Sequence, residues 1–253
     1  MRMSTVAVVA KLGLMALLAQ AVAAAAAEVK VMAGAAMSGA FGELLPQFER
    51  ATGHKIVIQY GSTGNFKTQI EAGEAFDLAI FGSDGVDDLI KQGKIAADTR
   101  LEIARVGVGV AVREGAPKPD ISSVEAFKST LLNAKSITYT PGGAAGLDKV
   151  LDRLGIAEQV KGKTNANPPD RVPQVVAAGE VELAIGNVPS LLTASGVQVV
   201  GLLPAELQNW FVNTAGVSTA AKQPEAAKAL IKHLTTPEAA AAIKAKGMEP
   251  LRK

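Results

Sequence analysis

The stretch that most constrains this chain is the turn at residues 61–64, Gly-Ser-Thr-Gly, which joins a predicted strand to a predicted helix. Residues 55–60 are β-branched and apolar in the manner of a buried strand, and the apolar residues after the turn recur at helical spacing as far as Gly73. Glycines let a backbone approach a ligand closely, and the unpaired N–H groups of a first helical turn favour an anion. The pattern therefore indicates an anion-binding turn or, alternatively, an ordinary loop capped by Ser62 or Thr63.

The first 27 residues have the pattern of a secretory signal peptide. Arg2 and Lys11 flank the start of a short apolar run, and an alanine tract supplies an Ala-x-Ala cleavage site that ends at Ala27. The apolar run is short for a membrane anchor, and the chain has no cysteine to carry a lipid. Without the leader the chain holds 24 basic and 24 acidic residues, so its charge gives no indication of nucleic-acid or membrane binding. We expect a periplasmic protein that acts as a monomer.

The strand–turn–helix pattern occurs three times in the first part of the chain, with strands predicted at residues 29–33, 55–60 and 77–81. Consecutive units of this kind form a parallel sheet with helices packed on it, and ligands bind beyond the carboxyl ends of the strands. The turns at residues 34–38 and 82–85 would then lie on the same edge as the Gly-Ser-Thr-Gly turn.

A second set of strands, helices and Gly-rich turns follows, and residues 105–112 and 210–217 are predicted to cross between the two sets. The predicted fold class is α/β, with two lobes that are each a mainly parallel sheet flanked by helices. We place lobe 1 at residues 28–108 and 214–253, lobe 2 at residues 109–213, and a polar linker within lobe 2 at residues 161–169. A single doubly wound sheet is the alternative.

Residues typical of catalytic and metal sites are scarce. The two histidines, His54 and His233, are isolated in the sequence, and without cysteine they predict no zinc site, thiol site or Ser-His-Asp triad. Asp84, Asp87 and Asp88 form the densest acidic cluster, which is more typical of a helix N-terminus than of a metal site. We therefore expect a binding protein that is not an enzyme and that carries no cofactor or metal.

The remaining features are loops that donate backbone and hydroxyl hydrogen bonds, and such loops hold an anion without a full positive counter-charge. Arg171 is the one cation that we add to the candidate site, because it opens a predicted helix where a guanidinium would face a carboxylate. The alternative for Arg171 is a surface ion pair with Asp170 or Glu180.

The mature chain resembles the periplasmic molybdate-binding proteins, which belong to the type II "Venus flytrap" solute-binding proteins of ABC importers. The resemblance is carried by residues 31–37, 61–64, 69–73, 76–81 and 179–184. Among these, Gln-Ile-Glu-Ala-Gly at residues 69–73 after a Ser-rich turn is fairly specific. The resemblance implies the two-lobed fold, a bound small anion and a permease partner.

The resemblance also implies ligand contacts in lobe 1. A serine in the first turn of the molybdate binders donates its hydroxyl and amide to the oxyanion, and the matching residue here is Ala36, with Ser38 two residues on. The second-turn serine corresponds to Thr63, with Ser62 beside it. One hydroxyl donor is therefore absent and one is retained.

In lobe 2 the resemblance implies a backbone N–H near Ala145 and Gly146. A second amide falls at Pro169 or Val172, and a proline has no N–H to donate. The tyrosine that contributes a hydroxyl in many molybdate binders is replaced by Asn187. A tetrahedral dianion would lose several hydrogen bonds, each worth roughly 1.5–3 kcal/mol.

The expected function is capture of a small anion, a molybdate-like or tungstate-like oxyanion, in a cleft between the lobes for delivery to an ABC permease. Two alternatives are a small organic anion, such as a carboxylate or a phosphorylated acid, and a sensor or adhesin without a transport role. An enzyme on the same scaffold would need a base beside an activated nucleophile, and the sequence offers no such pair.

Overall fold

The computed structural model describes residues 26–140, 146–168 and 170–251, which form two lobes, each built on one β-sheet. The strands are β1 (Glu28–Gly34), β2 (Lys55–Gly61), β3 (Leu78–Gly82), β4 (Leu101–Val106), β5 (Val108–Arg113), β6 (Ile137–Tyr139), β7 (Thr164–Ala166), β8 (Leu183–Asn187), β9 (Val197–Leu202), β10 (Phe211–Val217) and β11 (Glu249–Pro250). The helices are α1 (Ser38–Thr52), α2 (Thr63–Glu71), α3 (Ser83–Lys91), α4 (Val124–Asn133), α5 (Leu147–Leu154), α6 (Ala157–Val160), α7 (Arg171–Ala177), α8 (Val188–Leu191), α9 (Pro224–Leu234) and α10 (Pro237–Ala245). None of the described helices is both long and apolar enough to cross a membrane.

The lobe 1 sheet has the strand order β11-β4-β10-β3-β1-β2. Strands β1, β2 and β3 are parallel, whereas β10 runs antiparallel between β3 and β4. Helices α1, α9 and α10 bury their apolar faces on one side of the sheet, and α2 and α3 cover the other side. Burial on both faces explains why β1 and β3 read as mainly apolar runs in the sequence. Strand β2 is an edge strand in which only Ile56 is buried, so its predicted burial is wrong.

The lobe 2 sheet has the order β7-β6-β8-β5-β9. Strands β6, β7 and β8 are parallel, and β5 runs antiparallel between β8 and β9. Helices α4, α5 and α6 cover one face, and α7 and α8 pack on the other. Two sheets with separate cores confirm the predicted two-lobed α/β fold, so the single-sheet alternative is wrong.

Two connections join the lobes. Strand β4 ends at Val106 in lobe 1 and β5 begins at Val108 in lobe 2, so Gly107 makes the first crossing. A Cβ at Gly107 would lie 2.8 Å from Leu202 and 3.0 Å from Trp210, which leaves room only for glycine. The segment at residues 203–210 makes the second crossing, because β10 pairs entirely within lobe 1.

The predicted lobe boundaries at 108/109 and 213/214 therefore fall inside β5 and β10. The predicted linker at residues 161–169 contains β7, which pairs with β6. Strand β7 has only three residues and a largely exposed, polar sequence, so no apolar pattern marks it.

The first three strands end at one edge of the lobe 1 sheet, as predicted. Gly34 at the end of β1 pairs with Gly61 at the end of β2, and Gly82 ends β3 on the other side of β1. The turns that follow these strands therefore project from the same edge. This edge faces lobe 2, since the first residue of β10, Phe211, directly follows the second crossing.

Ala27 belongs to the hydrophobic core of lobe 1. Ala27 is buried, its carbonyl oxygen accepts a hydrogen bond from the Lys55 N–H at 2.8 Å, and its N–H donates to His54 Nδ1 at 3.2 Å. The predicted leader boundary, which ends at Ala27, would therefore remove a residue that packs in lobe 1.

Candidate functional site

The first turn, Gly34 to Met37, leads from β1 into α1. Residues 35–37 form one turn of 3-10 helix that continues directly into α1, so this turn lies at the positive end of a 15-residue helix. Ala36 is partly buried against the core, and Ser38 is exposed on the first residue of α1. The structure thus places both predicted residues at a helix N-terminus beside the cleft.

The second turn places Ser62 and Thr63 at the start of α2. The Ser62 hydroxyl caps the helix by accepting a hydrogen bond from the Asn65 N–H at 3.3 Å. Thr63 Oγ1 accepts a hydrogen bond from the Gly82 N–H at 3.1 Å, and a Cβ at Gly85 would lie 2.3 Å from the Thr63 methyl group. An accepted bond leaves the hydroxyl hydrogen of Thr63 available to donate to an anion. Thr63 therefore ties the second turn to the third while keeping a donor.

The acidic cluster near the third turn forms ion pairs within lobe 1. Asp87 pairs with Arg100 at 2.6 Å and Asp88 pairs with Lys67 at 2.7 Å. The hydrogen bond from Lys67, followed by that from Lys91, lowers the pKa of the Asp88 carboxyl group. No group of three or more potential metal-binding side chains occurs among the described residues.

In lobe 2, Gly146 caps α5 in the left-handed conformation with φ of 51°, which favours glycine. The predicted partner Ala145 lies outside the described residues, as does Pro169. The Val172 N–H donates to the Pro168 carbonyl at 3.2 Å, so this amide is already engaged. The predicted lobe 2 amide at Val172 is therefore not directed at the cleft.

Asn187 ends β8 and directly precedes α8. The next N–H, that of Val188, donates to the carbonyl oxygen of the crossing residue Gly107 at 3.1 Å. The side-chain oxygen of Asn187 is buried and has no hydrogen-bond partner among the described residues. Asn187 therefore holds an unpaired amide oxygen at the carboxyl end of β8.

Arg171 is placed differently from the other predicted residues. Its guanidinium is 59% exposed and lies 3.7 Å from the Glu180 carboxylate. Glu180 follows the end of α7 and precedes β8, so the ion pair directs the guanidinium toward the amino end of β8. Ligands of such sheets bind at the carboxyl ends of the strands. We therefore leave Arg171 out of the site that we propose.

A cavity of about 450 Å³ opens between the lobes. Its wall includes Ala36 and Ser38 from lobe 1 and Ser190 from α8 of lobe 2, but not Ser62, Thr63 or Asn187. The two lobes also touch beside it, because a Cβ at Gly247 would lie 2.6 Å from Val188 and 2.8 Å from Leu192. The structure thus brings the first-turn residues together with α8.

The cation that lines this cavity is Lys246, which follows α10. A Cβ at Gly39 would lie 3.7 Å from the Lys246 stem, so the stem crosses the start of α1. The sequence analysis missed Lys246 and Ser190 because neither belongs to a Gly-rich turn. The only signal for Lys246 was a basic residue at the end of a helix.

Tyr139 adds a neutral hydroxyl at the carboxyl end of β6. Its hydroxyl donates to the Asp148 carboxylate at 2.8 Å. This hydrogen bond, together with burial, raises the pKa of Tyr139 and keeps the phenol protonated at neutral pH. Tyr139 pairs with Ile185 in the parallel ladder, two residues before Asn187. Lobe 2 thus offers an acid–base pair near its cleft edge.

The sequence model of the bacterial extracellular solute-binding proteins matches residues 29–249. The chain belongs to this family. The Azotobacter vinelandii molybdate-binding protein is 33% identical over 243 residues, which cover 90% of this chain and 92% of the relative. The predicted kinship with the molybdate-binding proteins is therefore confirmed.

A second relative has a different name. The Pseudomonas protein named aconitate isomerase is 31% identical over 228 residues, which cover 87% of each chain. Both relatives span nearly the whole chain, so similarity alone does not choose between an inorganic and an organic ligand.

Solved structures support the fold. The substrate-binding domain of a putative molybdenum ABC transporter from Clostridium difficile superimposes with a TM-score of 0.76 at 19% identity, over 90% of this chain and all of that one. The periplasmic molybdate-binding protein of Azotobacter vinelandii gives a TM-score of 0.68 at 23% identity, over 89% and 100% of the two chains. The type II binding-protein fold predicted from the sequence is confirmed.

The Thr63 hydroxyl is predicted to contribute to anion binding. Thr63→Val keeps the shape of the side chain but removes the hydroxyl, so we expect the Kd for the bound anion to rise about tenfold, the loss of one hydrogen bond to a charged group. Thr63→Ser keeps the hydroxyl and serves as the control, with a Kd within about threefold of the original. Isothermal titration with molybdate and with citrate measures both variants. Equal affinities for Thr63→Val and the unaltered chain would remove Thr63 from the site.

Proposed function

We propose that this chain is an exported solute-binding protein that captures a small carboxylate anion between its lobes and delivers it to an ABC permease. The observation that carries the proposal is the cavity between the first turn and α8, which combines hydroxyls from both lobes with the Lys246 ammonium group. Neutral donors and one cation suit an anion that brings its own hydrogen-bonding groups.

The changed ligand contacts favour a carboxylate over molybdate. Ala36 has no hydroxyl to donate, and Asn187 presents a buried amide in place of a phenol. A tetrahedral oxyanion accepts hydrogen bonds on every oxygen, so each lost donor leaves an acceptor unpaired. An organic anion is larger and reaches donors outside the first turn, such as Ser190. The relative named aconitate isomerase supports the same ligand class.

Lys246 is predicted to discriminate between these ligands. We expect citrate or aconitate at 100 times its Kd to stabilise the mature chain by about 2.7 kcal/mol, which raises the Tm by several degrees. Lys246→Met keeps the stem over Gly39 and removes the charge, so the shift should fall by at least half. Differential scanning fluorimetry with citrate, aconitate, molybdate, tungstate, sulfate and phosphate is the measurement.

The matched control is Lys244→Met, because Lys244 is equally exposed and lies two residues away but lines a different cavity. Its thermal shifts should equal those of the unaltered chain. A shift with molybdate or tungstate alone would contradict the carboxylate proposal and return the ligand to the oxyanion class.

Isomerisation of an unsaturated carboxylate is the second candidate function. The observation that favours it is the relative named aconitate isomerase, together with the Tyr139–Asp148 pair. Interconverting double-bond isomers by proton transfer needs a side chain that donates and accepts a proton. In the Tyr139–Asp148 pair the Asp148 carboxylate would accept the proton that leaves one substrate carbon, and the Tyr139 phenol would donate a proton to the other.

The transport proposal predicts that cis-aconitate and trans-aconitate are recovered unchanged after incubation with the purified protein. Proton NMR spectroscopy over several hours is the measurement, with boiled protein as the blank. Interconversion that disappears in Tyr139→Phe would establish the isomerase candidate. Loss of binding without any conversion would instead assign Tyr139 to ligand capture.

Export is predicted to remove residues 1–25 and to retain Ala26 and Ala27. The packing and hydrogen bonds of Ala27 place it within the folded lobe, and Ala23-Ala24-Ala25 supplies the same type of cleavage site. Intact-mass spectrometry of the protein secreted into a bacterial periplasm tests this.

A matched pair of recombinant chains provides the control. The chain that begins at Ala26 should have a higher Tm than the chain that begins at Glu28, because the shorter one loses the bonds of Ala27 to His54 and Lys55. A mature protein that begins at Glu28, with no difference in Tm, would restore the boundary after Ala27.

A further inference from the structure

Buried polar atoms without a partner are concentrated at the cleft. Among the described residues, three buried side-chain polar atoms lack a hydrogen-bond partner, and they belong to Asn187 and Asn213. Asn187 ends β8 at the cleft edge of lobe 2, and Asn213 lies in β10 near the cleft edge of lobe 1. The unpaired Asn187 oxygen and the unpaired Asn213 amide therefore lie at the ends of strands in the two lobes that face each other across the crossings.

Asn213 is the more extreme of the two. Its side chain is completely buried, and both its oxygen and its nitrogen are unpaired, so exchanging the two atoms would leave the same two groups without partners. In the sheet, Asn213 pairs with Gly82 on one side and Ala104 on the other. Asn213 is therefore held in the sheet by strands on both sides, while the amide group at the end of its side chain lacks partners among the described residues.

The amide of Asn213 is directed at the first turn. A Cβ at Gly34 would lie 2.9 Å from Asn213 Oδ1, so the amide rests against the residue that opens the turn. Ala215 and Val217, which alternate with Asn213 along β10, face the same core as α1. Asn213 therefore lies beneath the backbone that leads into α1.

An unpaired amide in a protein interior destabilises the fold, because it has lost water without gaining a partner. A polar group under a ligand-binding turn gains partners if the turn moves when a ligand binds. The Gly34 backbone lies against the Asn213 amide, and the turn that Gly34 opens carries further N–H and C=O groups into α1. An anion bound at the start of α1 would draw the N–H groups of this turn toward the cleft and so shift the backbone that lies against Asn213.

We propose that Asn213 is a positioning residue of the anion site, whose amide forms hydrogen bonds to the Gly34–Met37 turn only when an anion occupies that turn. The inference rests on the proposed anion-binding function, but not on the choice between carboxylate and oxyanion. Ligand binding then satisfies a buried group that is unpaired in the ligand-free protein, and the gain strengthens binding without any direct contact between Asn213 and the ligand.

The test is Asn213→Leu, which replaces the amide by an apolar group of similar size. In the ligand-free protein the Tm should rise by about 2 °C or more, since an unpaired polar group is removed. The Kd for citrate, or for molybdate if citrate does not bind, should rise at least tenfold. Scanning calorimetry and isothermal titration on the mature chain give the two values.

The control is Asp77→Ala, which removes a buried polar side chain at the opposite edge of the same sheet. Asp77 accepts hydrogen bonds from the N–H groups of Lys30, Lys222 and Gln223 at 2.8, 2.7 and 3.0 Å. Its loss should lower the Tm and leave the Kd unchanged, whereas Asn213→Leu is expected to raise both the Tm and the Kd. A lower Tm with an unchanged Kd for Asn213→Leu would overturn the proposal and make Asn213 an ordinary core residue.

A second set of variants tests the contact between Asn213 and Gly34 without a leucine, whose packing could itself change the Tm. Gly34→Ala should lower the Tm in the unaltered chain because its Cβ meets the Asn213 amide, and Asn213→Ala should relieve that loss. Additive effects would contradict the contact between the amide and the turn. If no anion binds the unaltered chain, the proposed function fails. A Tm of Asn213→Leu at or below that of the unaltered chain would show independently that the Asn213 amide does not destabilise the ligand-free protein.

Discussion

The two antiparallel strands that follow the crossings between the lobes, β5 and β10, are the constraint on which the rest of the structure depends. Strand β10 fills the gap between β3 and β4 in lobe 1, and β5 fills the gap between β8 and β9 in lobe 2. Each therefore completes a sheet with chain that arrives from the other lobe. Because both run against their neighbours, they begin where the parallel strands end. The covalent links between the lobes consequently lie at the same edges as the turns of the candidate site. Movement of one lobe relative to the other therefore changes the distances between these turns.

This arrangement determines the chemistry that the cleft offers. The edges of the cleft carry hydroxyls and carboxamides, and Lys246, which follows α10, lines the cavity beside the first turn. Neutral donors bind an anion without a buried ion pair, whose desolvation would be costly. Selectivity then depends on how many acceptors a ligand presents and how far apart they lie.

Most of the fold was predictable because buried strands read as short apolar runs and amphipathic helices carry a strong periodic signal. The edge formed by Gly34, Gly61 and Gly82 followed from the same reasoning. Strand β7 carries no such signal. The positions of the two crossings follow from pairing between segments that are distant in the sequence, which no local pattern reveals. Sequence reasoning placed Ser62 and Thr63 at the start of α2, but the orientation of Arg171 depends on its ion pair with Glu180, which sequence analysis left as one of two alternatives. In the sequence Asn213 is visible only as a polar residue in an apolar strand. Its proposed role depends on the closeness of its amide to Gly34, which only the structure gives.

The crossing at Gly107 has one further consequence. The chain contains a single tryptophan, Trp210, and its ring closes on this glycine while the Arg105 guanidinium lies 3.9 Å above it. Arg105 is itself held by Glu249 at 2.8 Å, so a fixed positive charge sits on the indole face. Indole emission responds to the surroundings of the ring, and Trp210 lines the cavity at the crossing together with Gly201 and Leu202 of lobe 2. The protein therefore carries a built-in optical reporter at its pivot, through which opening and closing of the lobes can be followed without a label.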